Sequence, residues 1–66
     1  MEDNQTGVKR PKDAAKHLGI SIPTLWRWLR VDSDFPRPFK LADRVTLFYT
    51  AELDAYLERK AQGSRA

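Results

Sequence analysis

Apolar residues recur along this chain first at helical spacing, then in near-alternation, then at helical spacing again. Ala14, Ala15 and Leu18 form one narrow stripe behind Pro11, a residue suited to a first helical turn because it has no amide hydrogen to leave unpaired there. Asp13 falls in that turn, where a carboxylate complements the exposed amide ends, and Gly19 supplies a left-handed stop. Ser21 is a natural N-cap for a second helix. The run Ile22 to Arg30 places Ile22, Leu25, Trp28 and Leu29 on a buried stripe, with Pro23, Thr24, Arg27 and Arg30 on the opposite face.

Residues 31–38, with Asp32, Ser33, Asp34, Pro36 and Pro38, read as a rigid, turn-rich connector. Phe39-Lys40-Leu41 and Val45-Thr46-Leu47-Phe48-Tyr49 flank the polar turn Ala42-Asp43-Arg44 and predict a β-hairpin. Alternation puts Phe39, Leu41, Val45 and either Leu47 or Tyr49 on its buried side. Thr50 can cap a last helix whose stripe Leu53, Tyr56 and Leu57 closes the core, with Arg59 and Lys60 at its positively favoured end and Gly63 stopping it. Trp28, Leu25, Leu53 and Tyr56 are the expected core. The implied layout is a disordered tail over 1–7, one domain over 8–62 and a flexible tail over 63–66.

Two helices joined by about three residues, the second presenting a polar and basic face, match the helix-turn-helix pattern. With the hairpin and the closing helix, the expected fold is mainly α with a small β-hairpin, a winged helix-turn-helix of order helix-helix-hairpin-helix.

Length and composition narrow the chemistry. A chain of 66 residues, 41% apolar and 32% charged, builds one small domain with little room for a deep catalytic cleft. It has no cysteine, which excludes disulfides and thiolate metal sites, and its one histidine, His17, argues against a histidine zinc site and reads as a helix-surface residue. There is no Gly-rich phosphate loop, and no serine or threonine has a histidine–carboxylate set to activate it. Glu52, Asp54 and Glu58 read as solvated positions on a helix. The expectation is a non-enzyme with no cofactor and no metal. Nothing approaches a bilayer-spanning run or a signal-peptide apolar region, so the expected setting is cytoplasmic and nucleoid-associated.

The formal net charge is +3. Its distribution is uneven: residues 8–47 hold nine bases (Lys9, Arg10, Lys12, Lys16, Arg27, Arg30, Arg37, Lys40, Arg44) against Asp13, Asp32, Asp34 and Asp43. That is the arrangement expected of a polyanion-binding face, although a solvated helical surface would look the same. Arg27 is long enough to reach guanine O6 and N7, unless it pairs with Asp32 or Asp34. Thr24 and Pro23 lie in the first turn, the end that usually enters a groove, where Thr24 either touches a thymine methyl or a phosphate or simply starts the helix. Arg30 suits a phosphate. Arg44 suits a narrow minor groove, with Lys40 and Arg37 supporting it on phosphates. Lys12 and Lys16 are weaker candidates for the flanking backbone. Trp26 has three readings: covering the core edge, stacking on sugar, or facing a partner.

The stretch Ala14-Ala15-Lys16-His17-Leu18-Gly19-Ile20-Ser21, followed by Thr24-Leu25-Trp26-Arg27-Trp28-Leu29, resembles the AlpA-type phage regulators of the MerR-like winged-helix superfamily. Phe35-Pro36-Arg37-Pro38-Phe39-Lys40-Leu41, Arg44, Tyr49 and Ala51 to Leu57 keep the same order. Thr24 to Phe48 is also similar to the lambda-type excisionases, through Arg27-Trp28, Phe35-Pro36, Pro38, Lys40, Arg44 and Leu47-Phe48. The resemblance covers roughly residues 10–60. It implies double-stranded DNA as partner, with the second helix (Pro23, Thr24, Arg27, Arg30) in the major groove and the wing (Lys40, Asp43, Arg44) on the adjacent minor groove. Two departures stand out: Ala42 and Asp43 where the family often has a wing glycine, and Trp26 where the excisionases carry a base.

Three functions compete. An excisionase, or recombination directionality factor, would bind and bend attachment-site DNA, self-associate cooperatively on it and favour excision by a tyrosine-type integrase. An AlpA-type prophage transcription regulator would switch a promoter. A small protein-interaction module would use the Trp26 face and the tail Arg59–Ala66. None of the three calls for a small-molecule substrate or a membrane.

Overall fold

A computed structural model describes residues 7–65, the last of these by its backbone. The elements are β1 (Val8–Lys9), α1 (Pro11–Leu18), α2 (Ile22–Val31), β2 (Phe39–Ala42), β3 (Val45–Tyr49) and α3 (Thr50–Arg65). It is mainly α with a β-hairpin, a winged helix-turn-helix.

The local signals act where the sequence places them. Pro11 opens α1, and Gly19 closes it at φ 75° with its amide on the Lys16 carbonyl. Ser21 caps α2, its hydroxyl oxygen accepting the Thr24 amide at 3.3 Å. This stop and this start leave only three residues between the helices and force the sharp turn between them.

The wing pairs Phe39 with Leu47, Lys40 with Thr46 and Ala42 with Val45. Ala42 therefore belongs to β2, and the turn is the two residues Asp43 and Arg44. The register slips between Lys40 and Ala42, leaving Leu41 in a bulge and 67% exposed. That slip takes Leu41 alone out of the expected buried side, on which Leu47 rather than Tyr49 lies. Leu47 and Phe48 are buried, Phe39 and Val45 are half-buried, and Leu41 and Tyr49 are exposed. Phe39 and Tyr49 stack on each other at 4.8 Å instead.

A third strand joins the hairpin. β1 pairs antiparallel with β3 through Val8 with Tyr49 and Lys9 with Phe48, giving the sheet order β1-β3-β2. Most of the expected tail over 1–7 lies outside the described residues; Gly7 itself accepts the Thr50 amide at 2.9 Å. Thr50 consequently does not cap α3. It is the first helical residue, and its buried hydroxyl has no partner among the described residues.

Nor does Gly63 stop α3, which runs through it to Arg65. A glycine ends a helix by adopting the left-handed conformation, and only Gly19 does so among the described glycines. The stretch 63–65 is thus helical, and Ala66 lies outside the described residues.

The core is Ala14, Ala15, Leu25, Phe35, Phe48, Leu53 and Tyr56. Trp28 was expected inside it; the ring is half-buried and packs edge-on to Phe35 at 6.3 Å. Leu57 and Ile22 sit at the rim, 37% and 39% exposed. The centre belongs to Phe35, from the connector, 1% exposed and edge-on to Phe48 at 6.5 Å and Tyr56 at 5.0 Å. One aromatic thus ties α2, the wing and α3 together.

Candidate nucleic-acid interface

The buried side of α2 is fixed by Leu25 and the half-buried Trp26, Trp28 and Leu29 that pack on the core. The rest of the helix therefore faces water, where Pro23, Arg27 and Arg30 are exposed. Neither arginine has a hydrogen bond or ion pair among the described residues, although Asp32 and Asp34 follow closely in sequence. Those carboxylates are turned to α3. Asp32 Oδ2 accepts the Tyr56 hydroxyl at 2.8 Å and lies 3.6 Å from Lys60 Nζ. Arg59 donates to the Asp34 carbonyl at 3.0 Å, with its Nε 3.9 Å from the Asp34 carboxylate. Pairing of Arg27 with either aspartate is thereby ruled out in this structure.

Thr24 is half-buried, and its hydroxyl oxygen accepts from Ser21 Oγ at 2.9 Å. It is committed to the helix start, leaving the side chain's outer surface at the first turn. Arg37 is more occupied than expected: its Nη1 donates to the Leu29 carbonyl at 2.6 Å, capping the end of α2 from outside. Lys40, Asp43 and Arg44 are exposed on the wing, the last two at its tip. Lys12 and Lys16 are exposed on α1.

Trp26 is settled. It packs on the core edge with its ring tilted against Phe48 at 6.4 Å, joining α2 to β3. His17, exposed on α1 as expected, bonds through Nε2 to Asp54 on α3 at 2.7 Å.

Sequence reasoning missed the clasp at the end of α2. Asp32 is its hub: its backbone amide closes the last turn on the Trp28 carbonyl, and its Oδ1 accepts the Asp34 amide. The Tyr56 hydroxyl bond, then the Asp34 amide, holds the Asp32 carboxyl below its ordinary value. Burial, reinforced by the Asp32 acceptor, pushes the Tyr56 hydroxyl up to about 12. Spacing could not reveal this contact, because 24 residues separate the partners.

Among the described residues no group of three or more His, Asp or Glu side chains is placed to hold a metal ion, and no helix is long and apolar enough to cross a membrane.

Residues 7–61 match the family model of the prophage CP4-57 regulatory protein, AlpA. The chain belongs to the AlpA family. It is a small phage-type DNA-binding regulator, in a family that is regulatory and not enzymatic. No match to this AlpA-family chain is found among curated proteins or among solved structures.

Proposed function

We propose that this AlpA-family protein binds double-stranded DNA sequence-specifically with α2 in the major groove and the wing tip in the adjacent minor groove, and that it acts as an excisionase for a prophage or integrative element. The observation that carries the DNA-reading surface is the exposed face of α2. Arg27 and Arg30 project from a helix whose back is fixed in the core, and the nearby carboxylates are already engaged by α3.

In this reading Arg27 reaches a base edge, Thr24 and Pro23 approach the groove at the first turn, and Arg30 meets phosphate. Arg44 enters the minor groove, Asp43 shapes the tip, and Lys40 lies on the backbone. Arg37, held on Leu29, serves mainly by fixing the end of α2, and Lys12 and Lys16 contribute to the flanking backbone. Bending a short site costs of order 1–6 kcal/mol, which several cooperatively bound copies would share while assembling a tyrosine-type integrase. The protein would then act on the nucleoid.

The family match favours a second role on the same surface, that of a regulator; in this reading the protein switches an integrase promoter. The deciding experiment adds purified protein to the matched integrase and its attachment-site DNA and scores excision. Stimulated excision supports the directionality role; promoter activation without it supports the regulator. About five phosphate contacts predict a slope of log affinity against log salt near −4 to −5, and a flat slope would leave a protein-interaction module as the reading.

A further inference from the structure

β1 and β2 are both antiparallel to β3, so they run in the same direction, toward the Asp43–Arg44 turn. Lys9 pairs with Phe48, and Arg10 follows on the wing-tip side at the level of Leu47, just before α1 begins at Pro11. Between this corner and the side of α1 lies an open groove of about 670 Å³, lined by Lys9, Arg10, Asp13, Lys16 and His17, with Leu47 in its wall.

His17 is committed to Asp54. Lys9, Arg10 and Lys16 have no hydrogen bond or ion pair among the described residues. Three cations therefore share the groove with the single carboxylate of Asp13, an arrangement that repels itself until an anion enters. The amide end of α1 adds to this field, since Arg10 precedes the helix without capping it by a side-chain bond.

The geometry points to this groove as a third grip on duplex DNA, in which Lys9 on β1, Arg10 just after it and Lys16 on α1 hold the sugar-phosphate backbone between the wing and α1. The assignment rests on the DNA-binding reading above. An acidic protein segment would meet the same charges, but β1 shares the strand β3 with the wing, and this continuity with the sheet assigned to the duplex favours phosphate.

The test titrates a fixed mixed-sequence duplex at several salt concentrations against wild type, Lys9→Gln/Arg10→Gln, Asp13→Asn and Arg27→Ala, each checked by a melting curve. The double variant should flatten the salt slope by about 1.8, since two phosphate contacts are lost. Asp13→Asn should tighten binding at low salt, a gain that misfolding cannot mimic. Unchanged slope and affinity in both groove variants would overturn the groove assignment; if Arg27→Ala still weakened binding, the DNA reading would stand without it. Groove variants that lost only binding to an acidic polypeptide such as polyglutamate would overturn it as well. Absence of salt-dependent duplex binding in the wild type would remove the reading and the groove together.

Discussion

On the outer face of α2, Arg27 and Arg30 extend into solvent, whereas on the second half of α3 Arg59 and Lys60 are drawn onto Asp34 and Asp32. Both pairs are cationic, and both sit on exposed helical positions. The difference is what lies behind them. Tyr56, buried at 3% exposure, aims its hydroxyl at Asp32 and brings the two cations over its ring at 5.9 and 5.4 Å. On α2 nothing of the kind faces the arginines. On these two helices a positive charge is thus tied down where a buried aromatic organises a carboxylate for it, and left in solvent where none does.

The comparison breaks most completely at the ring that supports the clasp. Phe35→Ala should cost about 3–5 kcal/mol, comparable to the whole stability of so small a domain, and a normal melting curve would contradict its central place. Tyr56→Phe keeps the ring and deletes one hydrogen bond, so about 1–2 kcal/mol should be lost in denaturant titration. Its pH signature is more specific. The folded-state value of about 12 lies above the ordinary 10, so the wild type should lose stability as pH rises between these values, and Tyr56→Phe should lose less. At the acid end the depressed Asp32 carboxyl contributes stability above its ordinary value of 3.8 that disappears as pH falls below it.

Arg27→Ala should leave the melting curve where it is and cost about 1–3 kcal/mol in specific binding, with relaxed preference at one base position. A large stability loss would move Arg27 into the structural class. The smallest effect belongs to Arg59→Ala, whose exposed pairing should contribute under about 1 kcal/mol to stability and nothing to the salt slope of DNA binding. A flattened slope there would erase the division between the two charged regions.

How far the sequence reaches is visible in particular residues. The helix boundaries at Pro11, Gly19 and Ser21 and the inward positions of Leu25, Leu53 and Tyr56 follow from local sterics, hydrogen bonding and periodicity, and all are present. Phe35 gave no such signal: a lone aromatic among aspartates and prolines has no period, and only closure of α3 over the connector buries it. On the wing, Phe39, Val45 and Leu47 follow the alternation, and Leu41 departs from it because a bulge at that residue shifts the register. β1 has two residues, too few for any pattern, and exists because β3 offers it an edge. For the interface, the exposed face of α2 was legible as the complement of its buried stripe. The groove beside β1 and the engagement of Arg37 on Leu29 were not.

By itself, then, the order of residues determined the helix-turn-helix, the hairpin and the family, because each depends on neighbours within about one or two turns of chain. Which aromatic fills the centre, which cations are tied down and which remain for a partner was decided only when distant segments packed. Contacts such as Tyr56 with Asp32 or Lys9 with Phe48 join positions whose separation along the chain carries no periodic trace.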